Sequence, residues 1–337
     1  MGSKSYLITG SAGFIGFHLA TRLLRDGHQV VGLDDLNSYY SPELKRRRRD
    51  LLQTLPGHEF FEGSLGDSVL MKDLFHRFQF DSVFHLAAQV GVRHALDHPH
   101  SYLKCNVEGT LNVLEAARLC PRPPQLLLAS SSSVYGLSRN FPTRETDASD
   151  LPASLYGATK RTCELMAHSY SHLHGLRTTL MRIFTAYGPW GRPDMAMYLF
   201  TRKILEGGTI QLFNGGELER DFTYIDDVVD AMIGLESHRD QAGQPPYDVF
   251  NIGSSRPHPL IDLIRALEKH LGRKARTSEA PHQAGDVYKT HADISKISAF
   301  TGFAPTIDLD HGVGRFVDWY CRFHESGRGA DAFSIQQ

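Results

Sequence analysis

At 337 residues the chain is long enough to bury a substantial core, as one large or two smaller domains. A formal net charge of −2 with 41% hydrophobic residues leaves no basic excess of the kind that binds nucleic acid, and no apolar run approaches the ~20 residues that span a bilayer. The four cysteines, Cys105, Cys120, Cys163 and Cys321, stand far apart with neither CxxC nor mixed Cys/His ligand spacing, which argues against a metal site or disulfide framework and for a reducing cytoplasm.

The first apolar run, YLITG at 6–10, follows a short polar leader without the charged and apolar regions of a signal peptide. It opens a series of β-rich runs: QVVGLD (29–34), EFFEG (59–63), SVFHLAA (82–88), QLLLASS (125–131) and TTLMRIF (178–184). Runs so short and so continuously apolar suit parallel strands buried on both faces. Helical patterns separate them: Ile15, Leu19 and Leu23 recur every four residues, and Asp67 to Phe78, Tyr102 to Arg118 and Leu155 to His174 carry the same periodicity. Repeated strand–helix units predict an α/β fold with a doubly wound parallel sheet of Rossmann type.

After Phe184 the rhythm breaks into a Gly/Pro-rich loop, a helix near Tyr198 to Glu206, a strand TIQLF (209–213), a turn at NGGE (214–217), a strand–helix pair and a strand DVFNIG (248–253). This reads as a smaller α/β domain interleaved with the first. Residues 1–184 and 221–254 then form the sheet domain, 185–220 and 255–325 the substrate domain, and 326–337, which lack periodic apolar positions, a mobile tail. The basic block KRRRR, Lys45 to Arg49, reads as the solvated face of a short helix or a mobile loop, because no other basic and aromatic clusters accompany it.

Two motifs carry chemistry. In TGSAGFIG, Gly10, Gly13 and Gly16 follow a strand and open a helix, a tight turn that lets backbone N–H groups approach a pyrophosphate. The second strand ends at Asp34, where a carboxylate accepts hydrogen bonds from an adenosine ribose. Asp35 either adds a second negative charge, favouring NAD over NADP, or serves as a turn or cap residue. In SLYGATKRTCEL, Tyr156 and Lys160 stand four apart on one helix face. A phenol that titrates near 10 needs about 4 kcal/mol of help to act as a base near neutrality, and a nearby ammonium together with a cationic nicotinamide supplies attraction of that sign.

On these motifs, and on SSSSVYGL, YGATKRTCELMAHSYSHLHG, FTAYGPWGRPDMA and ERDFTYIDD, the chain from Tyr6 to Tyr320 resembles the extended short-chain dehydrogenase/reductase family that modifies nucleotide sugars, and within it the UDP-glucuronate 4-epimerases. The resemblance implies NAD-dependent conversion of UDP-glucuronate to UDP-galacturonate through a transient 4-keto sugar. Tyr156 and Lys160 are then catalytic, with Ser131 on the sugar 4-oxygen. Phe14, Ile15, Leu65, Leu86, Ala87, Ala88, Gln89 and Asn106 fall where the family lines its cofactor. Family dimers pair two helices per subunit, here those containing Asn106 and Tyr156, so a homodimer is implied.

Dehydratases and decarboxylases of the family place a Glu where this chain has Ser133, so Ser132 and Ser133 are free to donate hydrogen bonds to a uronate. Hexose epimerases tend to have Asn where this chain has Thr185. Prolines at 189 and 193 flank Arg192, which either meets the substrate carboxylate or staples its own loop to a neighbouring acid. Gln211 and Phe213 resemble residues flanking the uracil, Arg220 a diphosphate ligand and Asp286 a ribose partner. For Arg220 a surface ion pair, and for Phe213 core packing, are the alternatives. Arg93 is open between a sugar or diphosphate contact and a structural salt bridge. Ser64 and Gln283 depart from the family pattern near the adenine and the diphosphate. The competing functions are a UDP-glucose/galactose 4-epimerase, a UDP-glucuronate decarboxylase, and a non-catalytic NAD(H)-binding regulator on the same fold.

Overall fold

The computed structural model describes residues 2–239, 245–281 and 287–325, so Gln283, Asp286 and the tail at 326–337 lie outside the described residues. Twelve strands are described: β1 (Ser5–Thr9), β2 (Gln29–Asp34), β3 (His58–Glu62), β4 (Ser82–His85), β5 (Gln125–Ser131), β6 (Thr178–Ile183), β7 (Thr185–Tyr187), β8 (Thr209–Phe213), β9 (Glu219–Tyr224), β10 (Tyr247–Ile252), β11 (Pro257–Pro259) and β12 (Arg276–Ala280). Seven form one sheet in the order β3-β2-β1-β4-β5-β6-β10, every pair parallel. The order reverses direction at β1, the arrangement of a doubly wound Rossmann-type sheet.

The continuous apolar runs are explained by the two cores. Ile8, Phe84, Leu127 and Met181 point to one face, while Leu7, Val83, Leu126, Leu128 and Leu180 from the same strands point to the other. A strand covered on both faces can place no polar residue on either without a partner. The first core continues through Trp190, Phe222, Phe316 and Trp319 into the smaller layer.

That layer holds a three-stranded sheet, β11-β9-β7, and a parallel pair, β12-β8. The expected boundary at 220/221 falls inside β9. This strand pairs with β7, and the edge place beside β6 is taken by β10.

Two local readings differ from expectation. The helix anticipated at Tyr102 to Arg118 is a wide π-helical turn, Leu103–Glu108, running into an α-helix, Gly109–Arg118. The basic block lies in the helix Pro42–Gln53 and is split between two faces: Arg46 is exposed and Arg47 and Arg49 half-buried, as a solvated face requires, but Lys45 is 5% and Arg48 0% exposed. Positions three apart share a helix face, and this one turns inward against the glycine-rich turn.

Candidate functional site

A cleft of about 960 Å³ opens at the carboxyl ends of β1, β2, β4, β5 and β6. Ligands collect at this edge in open α/β sheets, and the volume suits a cofactor with its substrate. Its walls include Gly10, Gly13, Phe14, Ile15, Gly16, Asp34, Leu65, Leu86, Ala87, Ala88, Gln89, Ser131, Ser132, Ser133, Tyr156, Lys160, Thr185 and Arg192. The structure therefore brings these separate stretches of sequence to one surface.

The floor at one end is the glycine-rich turn. Gly10 has φ +74°, and a Cβ at Gly16 would collide with the Gly10 carbonyl, so the helix Phe14–Arg25 can start this close to β1 only with glycine there. No side chain caps that helix at Gly13, which leaves its first N–H groups to an anion. Asp34 accepts from Ala12 N at 3.1 Å and Leu36 N at 2.9 Å, stitching the turn to the end of β2. Burial raises the Asp34 carboxyl above its ordinary value, opposed chiefly by the charge of Lys45. The Lys45 ammonium is in turn fixed by the Asn37 carbonyl and side chain, at 3.0 and 2.9 Å.

The opposite wall joins β5 to the helix Leu155–His174. Ser131 Oγ accepts from Ser133 N at 3.1 Å and so starts the tight turn Ser132–Tyr135. Ser154 caps the helix through Gly157 N, and a Cβ at Gly157 would stand 2.5 Å from the Ser133 carbonyl. Glycine in this position is what lets the helix bring Tyr156 beside the serine run. Lys160 is 4% exposed and donates to the Ala129 carbonyl at 2.9 Å. Tyr156 meets the Tyr102 ring edge-on, 6.3 Å between centroids.

Asn106 does not line the cleft. It is buried in the π-helical turn, where Oδ1 accepts from Gln89 N at 2.8 Å and Nδ2 donates to Gln89 O and Thr159 Oγ1, both at 3.0 Å. It thereby ties the chain just after β4 to the helix that carries Tyr156 and Lys160. A π turn at such a place is a common mark of a functional site.

Arg192 faces the cleft from the loop after β7, and its guanidinium forms a two-point pair with Asp194: Nε–Oδ1 3.0 Å and Nη2–Oδ2 2.6 Å. Tyr39, from the loop after β2, donates to the same Asp194 Oδ2 at 3.0 Å. Sequence reading did not single out Tyr39 or Asp194, and no spacing could have linked residues 155 apart. Gln211, Phe213 and Arg220 stand on the smaller layer beyond these walls. Gln211 is exposed on β8, the Arg93 guanidinium lies 5.8 Å from the Phe213 ring centre, and Arg220 donates to the Glu219 carbonyl at 2.9 Å. Among the described residues no group of three or more His, Cys, Asp or Glu could hold a metal ion, and no helix is long and apolar enough to cross a membrane.

The glycine-rich turn, the acidic end of β2 and the Tyr/Lys helix meet in a region that matches the family described as NAD dependent epimerase/dehydratase over residues 6–253. The chain belongs to this family. It is 44% identical to Arabidopsis thaliana UDP-glucuronate 4-epimerase 3 over 339 aligned residues, covering 97% of this chain and 78% of that one. It is 42% identical to a probable UDP-glucuronate 4-epimerase of Rhizobium meliloti, covering 94% of this chain and 96% of the relative. Among solved structures it resembles the Bacillus cereus UDP-glucuronic acid 4-epimerase in complex with UDP-glucuronic acid and NAD, with a TM-score of 0.87 at 31% identity, covering 95% of this chain and 99% of the other. As a member of the NAD dependent epimerase/dehydratase family, the chain carries its Tyr/Lys pair and its glycine turn on opposite walls of one cleft.

Proposed function

We propose that this chain is an NAD-dependent UDP-glucuronate 4-epimerase. The observation that carries the reading is the makeup of the cleft: Tyr156 and Lys160 share it with Ser132, Ser133, Thr185 and Arg192, and among its described wall residues the only carboxylates are Asp34, at the end of β2, and Asp35, just after it. A site so built presents hydroxyl donors and a guanidinium to a uronate, and the acid beside that guanidinium, Asp194, is neutralised in its pair with Arg192.

The cofactor site fits a dinucleotide on the uncapped helix at Gly13, the close glycine packing at Gly10 and Gly16, and the carboxylate of Asp34. Bound there, NAD supplies a hydride acceptor and donor for C4 of the sugar. Tyr156 takes the proton of the 4-hydroxyl and returns it after the sugar has turned its other face. Lys160 supplies a positive charge one helical turn away, fixed by the Ala129 carbonyl. Ser131 donates to the 4-oxygen. Ser132, Ser133, Thr185 and Arg192 hold the C6 carboxylate, and this grip also keeps the 4-keto uronate, a β-keto acid, from losing CO₂. On the smaller layer, Gln211, Phe213 and Arg220 take the uridine diphosphate, together with Asp286, which lies outside the described residues; this assigns that layer to nucleotide-sugar binding and the seven-stranded layer to NAD.

The active form in this reading is a homodimer. Leu103, Leu111 and Leu165 are exposed on the two helices expected to pair, the first two on the segment of Asn106 and the third on that of Tyr156. The four cysteine thiols, none in a disulfide, suit a reducing cytoplasm. Incubation with UDP-glucuronate, resolved for UDP-galacturonate and CO₂, tests the activity. UDP-galacturonate without CO₂ is expected. Release of CO₂ would assign a decarboxylase, and turnover confined to UDP-glucose and UDP-galactose a hexose epimerase.

A further inference from the structure

Three consecutive carbonyl oxygens of the loop that presents Arg192 are gripped by side chains from the cofactor half. His18 Nε2 donates to the Pro189 carbonyl at 2.9 Å. Arg48 Nη2 donates to the Trp190 carbonyl at 2.5 Å and approaches that of Gly191 at 3.4 Å. The other amino group of the same guanidinium, Nη1, donates to the Ala12 carbonyl and the Tyr40 hydroxyl, both at 2.9 Å. Arg48 is fully buried, and none of these hydrogen-bond partners carries a charge.

A guanidinium buried among neutral acceptors is a poor stabiliser, and its value lies in fixing geometry. What it fixes here is unusual backbone. Trp190 has φ +59° without being glycine, and its indole is wedged against Phe17, Trp319 and Phe323, with ring centres 5.3 to 5.4 Å apart. Left to itself, a loop with these dihedrals has easier alternatives, and two residues further on it carries Arg192. Ala12 lies within the glycine-rich turn, so one side chain spans the cofactor turn and the substrate loop.

We propose that His18 and Arg48 are specificity-determining positioning residues. They hold the loop from Gly188 to Arg192 in the shape that turns the Arg192 guanidinium into the cleft, and they lock that shape to the cofactor turn. The inference rests on the reading of Arg192 as the uronate ligand. For His18 the mechanism needs a neutral ring that donates from Nε2, and the ring is enclosed between Phe14 and Phe17, with centres 5.6 and 5.3 Å away.

The test is a double-mutant cycle in the full chain with UDP-glucuronate as substrate. His18→Phe keeps the ring between its aromatic neighbours and removes only the donor. It is expected to raise KM for UDP-glucuronate about three- to tenfold, the scale of one neutral hydrogen bond, with NAD retention unchanged. His18→Gln, which restores an N–H donor, should recover most of that loss. In an Arg192→Ala background His18→Phe should cost nothing further, because the residue it positions is gone. Arg48→Lys cannot reach both loops with one ammonium, and is expected to lower uronate turnover and NAD retention together. If His18→Phe acts undiminished in the Arg192→Ala background, or has no effect while Arg192→Ala does, the positioning role is refuted and the uronate reading stands. If Arg192→Ala itself leaves UDP-glucuronate turnover intact, the uronate reading fails and takes this inference with it.

Discussion

The Nε and Nη2 atoms of Arg192 are both engaged by Asp194, which leaves the Nη1 side of the guanidinium for the substrate carboxylate in the proposed reading. Burial alone would raise the Asp194 carboxyl, but the hydrogen bonds and charge of Arg192 outweigh it and hold that carboxyl below its ordinary value. Asp194 is thus an anion under operating conditions, and with Tyr39 it orients the arginine that the flanking prolines only restrain. Arg192→Ala is expected to lower kcat/KM for UDP-glucuronate about 10- to 100-fold, since a hydrogen bond to a charged group is worth about 1.5–3 kcal/mol. NAD content should persist, and residual turnover of neutral UDP-hexoses should not fall in parallel. An equal loss on both substrates would give the arginine to the loop instead. Tyr156→Phe removes only the phenol oxygen to which the proposed mechanism gives the proton transfer, so single-turnover assays should show kcat down by about 10²- to 10⁴-fold with NAD still bound. Near-normal turnover would displace Tyr156 from its role.

The helix Leu155–His174 buries four polar side chains, Thr159, Lys160, Glu164 and Ser171, and one of them anchors it. Glu164 is 0% exposed and accepts from Arg182 Nε and Nη2, both at 2.8 Å, from Ser130 Oγ at 2.6 Å and from Arg161 Nη1 at 2.9 Å. It stands one turn beyond Lys160, so this cluster anchors the Tyr156/Lys160 helix to β5 and β6. Glu164→Gln leaves the Arg182 charge buried beside a neutral amide and should destabilise the fold by about 3 kcal/mol in urea titration, as breaking a buried ion pair does. A loss below about 0.5 kcal/mol would show that the cluster relaxes without its charge. The same helix exposes Leu165 on its other side, 54% accessible, as Leu111 is at 37% on the helix Gly109–Arg118. If these surfaces pair two copies, Leu111→Glu with Leu165→Glu should convert the dimer to monomer in sedimentation equilibrium. A wild-type chain that sediments as a monomer would remove the dimer from the reading.

For the whole molecule, the consequence of burying so much polar architecture is a pH dependence. Burial pushes His18 and His58 down to about 4 and His85 down to about 3, from an ordinary value of 6.5. His85 is held between Thr9 Oγ1 at 2.8 Å and Thr110 Oγ1 at 3.0 Å, deep under the cleft. Below pH 6.5 the unfolded chain takes up protons at these rings while the folded chain does not, so folding stability rises with pH across that window. The contribution is complete above 6.5 and is lost progressively as the pH falls toward 4. The urea midpoint should be level at neutral pH and should decline steadily from 6.5 to 4. A midpoint flat across that interval would mean that the three rings protonate freely in the folded state.

Much of this protein is legible in its sequence because the signals are local. QLLLASS, TIQLF and the run from Leu155 to His174 have the same limits in the structure as in their periodicity, and the spacings of Gly10, Gly13 and Gly16 and of Tyr156 and Lys160 are set by one turn and one helix. Long-range pairing decided the rest. Lys45 and Arg48 look in sequence like the solvated basic face of a helix, yet Arg48 is buried against Ala12 and Trp190, 36 and 142 residues away. β9 follows the small sheet rather than the large one because β7 offers its edge there. Asp194 meets Tyr39 across 155 residues. A helix pattern states which residues share a face, but which face is covered, and whether a charge on it finds acceptors, depends on the elements the fold packs against it. The sequence by itself determined the fold class, the cofactor turn and the Tyr/Lys pair. Only the tertiary structure decided how the loop of Arg192 is held: Asp194 is two residues along the chain, but Tyr39, which fixes that carboxylate, and His18 and Arg48, which grip the loop carbonyls, come from 155, 171 and 142 residues away and are joined to it by the folding of the chain.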